Sequence, residues 1–271
     1  MNRINAIFQT LSDTPHNASG RALMPYITVG DPNLKTTAKL LPALQNAGAS
    51  ICELGFPFSD PIADGPVIEG SMHYALSHGV KVADIFDMVR SVRPQLEIGL
   101  VAMVSYSIID RYGQDQFIAD AKDAGIDGFI VPDLMFEESE IFASKVANQN
   151  LIMSMLISPT TDIDRAKRIA RQSSGFVYLL ARAGITGEQT EMPPELNHRI
   201  RELRTATSLP IAVGFGISSA QHVKTVVREA DAAIVGSAIV RRIAEHRNQG
   251  SDAVISAVQV FATQLATGLS A

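Results

Sequence analysis

Glu53 and Asp64 lie in the run ELGFPFSDPIADGP, residues 53–66, and are the two groups best suited to acid–base work. Paired carboxyls do that work when their surroundings push their pKa values apart, one kept protonated and the other ionised. Glu53 has apolar neighbours, Ile51 and Leu54, with Phe56 just beyond. Turned into an enclosed mouth, it would hold a proton near neutrality and serve as a general acid. Asp64 comes after Pro57 and Pro61, in a loop where a charged carboxylate can stay solvated or accept hydrogen bonds. Their spacing of 11 residues puts them on no common helix or strand face, so the loop itself must fold Asp64 back over the mouth. Plainer readings stay open: Glu53 as an exposed strand end, and Asp60 and Asp64 as turn formers beside Pro61 and Gly65. For Asp60 the turn reading is preferred.

A second kind of chemistry is written in glycine. GFGIS (Gly214 to Ser218) and GSAI (Gly236 to Ile239) each follow a short apolar run and open into a helical pattern. Converging backbone N–H groups bind a phosphate where no side chain obstructs them, and the positive end of a helix adds to the attraction. The same glycines would also serve a tight strand-to-helix turn. RAGITGEQTEMPP, residues 182–194, is long, polar and glycine-bearing, which suits a lid over a substrate or a plain surface loop.

Elements able to hold these residues recur along the chain. ALMPYITVG, SICELG, IGLVAMV, DGFIVP, LIMSMLI, GFVYLLA, PIAVGFG and DAAIVGS are continuous apolar runs, as strands buried on both faces should be. Between them lie segments of helical spacing, such as PNLKTTAKLLPALQNAGA and TDIDRAKRIARQS. Gly48 and Gly125 mark helix ends. Thr161 with Asp164, and Ser218 with Gln221, have the spacing of a capping box. About eight strand–helix units without a Gly-rich dinucleotide fingerprint predict an α/β fold of the single-domain (β/α)8 TIM barrel type spanning residues 1–271, with extra N-terminal and C-terminal helices. Pro25 is at odds with a central first strand. The terminal helix is expected to bury Val254, Val258, Phe261 and Leu265 on one face. Barrels commonly bind phosphate beyond their last two strands, where both glycine turns fall.

Composition narrows the class further. A chain of 271 residues with 46% hydrophobic and 19% charged side chains should fold around a large core. A net charge of −5 without dense basic runs speaks against nucleic acid. No apolar run approaches membrane-spanning length, the N-terminal stretch lacks the apolar core of a secretory leader, and the lone Cys52 fits a reducing compartment. A cytoplasmic protein without a membrane segment is expected.

With these residues in view, ELGFPFSDPIADGP, GFVYLLARAGITG, AVGFGIS and GSAIVR, in this order, resemble the motifs of the tryptophan synthase alpha subunit family from about Tyr26 to Arg241. The resemblance implies a lyase cleaving indole-3-glycerol phosphate to indole and glyceraldehyde 3-phosphate by a retro-aldol reaction. It makes Glu53 the acid that protonates indole C3, and Asp64 the group that contacts the indole N–H. It adds Tyr26 in the indole pocket, Tyr178 near the reacting centre and Thr186 as a loop residue engaging the aspartate. Phosphate would be held around Gly187, Phe215, Gly216, Gly236 and Ser237. Ser59, Asp60 and Pro61 would contact a beta subunit in a heterotetramer; pyridoxal phosphate is implied only in that partner, and neither metal nor cofactor in this chain. Rival readings are a stand-alone lyase releasing free indole, a weakly catalytic activator of a beta subunit, and another phosphosugar enzyme of this architecture. Ser105, Ser107 and Ile108 depart from the Tyr-Asn-Pro type sequence the family often has, and Ala181 and Ala183 stand where its hydroxyl residues are frequent.

Overall fold

The computed structural model describes residues 1–13, 20–61, 64–181, 193–214 and 216–270. Thr186, Gly187 and Phe215, with most of the 182–194 segment, lie outside the described residues. Nine strand segments are found there: β1 (Ala22–Thr28), β2 (Ile51–Gly55), β3 (Gly99–Met103), β4 (Gly128–Ile130), β5 (Ile152–Ser154), β6 (Leu156–Ile157), β7 (Val177–Leu180), β8 (Ile211–Gly214) and β9 (Ala232–Val235). Every pairing is parallel, in the order β5-β4-β3-β2-β1-β9-β8-β7-β6. Only Met155 separates β5 from β6, and its carbonyl accepts a hydrogen bond from the Tyr178 N–H at 3.2 Å. The two segments are therefore halves of the LIMSMLI strand, and the sheet comes round on itself as the eight-stranded barrel expected.

Twelve helices accompany the strands: α1 (Arg3–Ser12), α2 (Leu34–Asn46), α3 (Pro66–Ser77), α4 (Val82–Val92), α5 (Tyr106–Tyr112), α6 (Gln114–Ala124), α7 (Ser139–Asn148), α8 (Ile163–Gln172), α9 (Leu196–Arg204), α10 (Ala220–Val226), α11 (Ser237–His246) and α12 (Ser251–Ala266), counted among the described residues. Helices lie outside the sheet, so each strand needs an apolar residue on both faces. Leu23, Ile27, Cys52 and Leu54 pack outward, whereas Met24, Ile51, Val101 and Ile234 fill the interior. The lower end is stoppered by α1, whose Ile4 and Phe8 are buried with that inner set, Phe8 standing 6.0 Å from Phe176.

Several local expectations are corrected. α8 is capped by Asp162, whose side chain accepts from the Asp164 and Arg165 N–H groups, not by Thr161. α10 is capped by Ser219, not Ser218. Pro25 is tolerated inside β1 because register with β2 starts only at Tyr26, one residue on, while register with β9 ends at Pro25. On α12 the buried residues are Val254, Val258, Ala262 and Leu265; Phe261 sits at the edge under the Arg242 guanidinium, 4.7 Å from its ring centre. By length and composition Ser251–Leu269 could cross a membrane, contrary to the expectation that no stretch would, yet here its apolar face packs on α2 and α11.

Candidate active site

β2 aims Glu53 inward. It pairs in register with Tyr26 of β1 and Val101 of β3, and its inward neighbour two residues earlier is Ile51. Glu53 is 0% exposed, and neither carboxyl oxygen has a hydrogen-bond partner among the described residues. Burial in these surroundings pushes its pKa well above the usual carboxyl range, so it holds its proton at neutrality. The exposed-strand-end reading is thereby excluded.

Asp64 reaches the same place by another route. Pro66 opens α3 behind the N-cap Gly65, and the Asp64 N–H closes a turn onto the Pro61 carbonyl at 2.9 Å. Asp64 and Glu53 line one cavity of about 360 Å³. Burial raises the Asp64 pKa only to about 6, which leaves it mostly ionised at neutral pH. The adjacent positive end of α3 further favours the charged form. Two carboxyl groups facing one cavity, one neutral and one charged, can deliver a proton to one point of a ligand and steady positive charge at another.

Tyr26 and Tyr178 also line the cavity, nearly fully buried, and burial raises both phenol pKa values. Both depend on a neighbouring glycine. A methyl group on Gly55 would overlap the Tyr26 hydroxyl, and one on Gly214 the Tyr178 hydroxyl. Gly214 therefore makes room for an aromatic ring.

Gly216, Gly236 and Ser237 also line the cavity. A helix opens behind both glycine turns, as expected, but only one of the two helices is left without a side-chain cap. α11 begins at Ser237 directly after Gly236, and no side chain caps it. α10 starts at Ala220, is 7 residues long, and has its N-terminus occupied by Ser219. The space beside Gly236 is open: an added methyl would meet Ile68 and Tyr26 only at 3.7 Å.

The cavity thus gathers Glu53, Asp64, Tyr26, Tyr178, Gly216, Gly236 and Ser237. Sequence reasoning missed its apolar lining residues Met103, Leu134, Met153 and Leu156, and Ser154 with them. The only signal was position near the upper ends of the third to fifth strands. Ser59 and Asp60 stand exposed outside, the Ser59 hydroxyl donating to the Asp60 carboxylate at 3.0 Å. The departure at Ser105 builds a helix: Ser105 caps α5 and donates to Asp133 at 2.6 Å, tying α5 to the segment after β4. Among the described residues no group of three or more His, Cys, Asp or Glu is placed to hold a metal ion.

The Glu53 geometry carries a stability consequence. A carboxyl group whose pKa is higher folded than unfolded keeps its proton in the native state after the unfolded chain has lost it, so stability falls as pH rises through that window. Glu53→Gln removes this cost. The variant is expected to gain a few °C in Tm over wild type at pH 8, and less at pH 4.5, by thermal unfolding at the two pH values. An equal Tm difference at both would contradict a protonated, buried Glu53.

Residues 13–269 match a family model described as tryptophan synthase alpha chain. A tryptophan synthase alpha chain from Rippkaea orientalis is 42% identical over 246 residues, 90% of this chain and 91% of that protein. Among solved structures, tryptophan synthase subunit alpha from Legionella pneumophila superposes with a TM-score of 0.89 at 32% identity, covering 99% of this chain and 98% of the other. A chain from the tryptophan synthase complex of Pyrococcus furiosus gives 0.83 at 34% identity, covering 90% and 97%.

Proposed function

This chain belongs to the tryptophan synthase alpha chain family, and on that premise we propose that its cavity cleaves indole-3-glycerol phosphate, with Glu53 and Asp64 as the catalytic residues. The enzyme is a carbon–carbon lyase of tryptophan biosynthesis, and its partner is the tryptophan synthase beta subunit, to which pyridoxal phosphate belongs. The chain works as one barrel domain, residues 1–271, in the cytoplasm; a lone buried thiol, Cys52, suits that compartment.

The observation that carries the residue roles is the fully buried, unpartnered carboxyl of Glu53 sharing a cavity with Asp64. Protonated Glu53 delivers its proton to indole C3, which turns the ring into an electron sink. Asp64 accepts the indole N–H and stabilises the positive charge that develops on the nitrogen. The carboxylate left on Glu53 then takes the proton of the substrate hydroxyl next to C3 as the C–C bond breaks, so indole and glyceraldehyde 3-phosphate separate with protons balanced. The phosphate sits against the uncapped first turn of α11, at Gly236 and Ser237, with Gly216 beside it. Tyr26 and Tyr178 wall the ring site. Ser59, Asp60 and Pro61, on the exposed loop, contact the beta subunit. Release of indole from indole-3-glycerol phosphate by the purified chain, with and without a beta subunit, tests the reading; no release under either condition overturns it.

The two glycines separate packing from binding. Gly214→Ala drives a methyl into the Tyr178 hydroxyl and is expected to cost about 1–3 kcal/mol of stability. Gly236→Ala meets ordinary protein contacts but fills the approach to the helix terminus. It should leave Tm within about 2 °C of wild type while raising KM at least about tenfold, the loss expected when charge-assisted hydrogen bonds to a phosphate are blocked. Thermal unfolding and steady-state kinetics on both variants check the contrast.

A further inference from the structure

Ser154 is a buried polar residue of the cavity wall that the scheme above leaves without a task. β5 places it between Ile152 and Leu156 on the inward face of the strand, in register with Ile130. It is 1% exposed, lines the cavity, and its hydroxyl has no hydrogen-bond partner among the described residues. Three other buried serines are paired: Ser71 donates to Asp31 at 2.6 Å, Ser139 to the Phe136 carbonyl at 2.7 Å, and Ser173 to the Ile169 carbonyl at 3.0 Å. Of the other hydroxyls without a partner, Thr28 does not line the cavity, and Tyr26, which does, already walls the ring site.

An unpaired buried hydroxyl costs free energy that alanine at the same position would not. Its surroundings make the cost specific, because its strand neighbours on the cavity, Met153 and Leu156, are apolar, as are Met103 and Leu134 elsewhere on the lining. The aromatic ring of the ligand needs an apolar lining, and these residues supply one. The six-membered edge of unsubstituted indole carries only C–H groups and leaves Ser154 unpaired. A hydroxyl on that edge would satisfy it, since serine both donates and accepts.

Resting on the reading under Proposed function, we propose that Ser154 is a specificity-determining residue that hydrogen-bonds a polar substituent on the benzo ring, so that the cavity takes ring-hydroxylated indole-3-glycerol phosphates as well as the bare compound. Sites that offer a buried hydrogen-bonding group discriminate through the cost of leaving it unpaired.

The test compares indole-3-glycerol phosphate with its 4-, 5-, 6- and 7-hydroxy derivatives on wild type, Ser154→Ala and Ser154→Val. For at least one isomer, the ratio of kcat/KM for the hydroxylated over the bare substrate should fall about fivefold in both variants, the worth of one neutral hydrogen bond, and the change should lie in KM. The Kd of glycerol 3-phosphate, which has no ring, should not change. Ratios equal in all three proteins for every isomer, or a loss of glycerol 3-phosphate affinity in the variants, would overturn the assignment. Absence of product from the bare substrate with wild type would instead overturn the proposed function, so the two failures are told apart.

Discussion

Glu53→Gln is expected to bind substrate with little change in KM and to turn it over about 10²–10⁴-fold more slowly, the range that a positioned general acid contributes. Glutamine has nearly the shape of the protonated acid and fits the same buried space, but has no proton acidic enough to give to a ring carbon. Single-turnover measurement of indole release separates this from a folding defect, because the variant should be more stable than wild type at pH 8. A stable protein without activity is the joint signature. It follows from one fact: the native state holds an apolar-walled carboxyl that folding alone would prefer to lose. Retention of more than about a tenth of the wild-type kcat would remove Glu53 from the chemistry, since even a modest general acid is worth more than that.

Asp64→Asn should lower kcat about 10²-fold or more, through loss of the negative charge that steadies the cationic ring. Its effect on the pH profile is the sharper readout. Activity requires Asp64 ionised and Glu53 protonated, so wild-type kcat/KM, which reports the free enzyme, rises with an apparent pKa of about 6, the value to which burial brings Asp64, and falls at higher pH as Glu53 loses its proton. In Asp64→Asn the acidic limb should vanish and the alkaline limb remain. Substrate phosphate also ionises with a pKa of about 6. An acidic limb that persists in the variant would therefore belong to the phosphate, and the case for Asp64 would fail on that result.

Much of this was readable before any coordinates. The eight strands declared themselves as apolar runs because a barrel strand is covered on both sides, and the helices between them by their period. The same property hid the orientation of Glu53. When Ile51, Cys52 and Leu54 are all apolar, alternation does not say which face looks into the barrel, and only the register with Tyr26 and Val101 decides it. α5 escaped because Tyr106–Tyr112 is too short, and too mixed in aromatic and β-branched residues, for a helical period to be told from a loop. α3 was missed for a related reason, with Gly70 and His73 breaking its pattern. The role of Gly214 was hidden because its need arises on a neighbouring strand, where Tyr178 occupies the space a side chain would take. Ser154 had no signal at all: serine in a strand is unremarked until its surroundings are known to offer it nothing.

α1 has a bearing on traffic through the molecule. With Ile4 and Phe8 wedged under the innermost layer, the described residues close the reaction vessel at its base, which directs a small uncharged aromatic product toward the upper end. A partner seated over that end would stand where the product emerges.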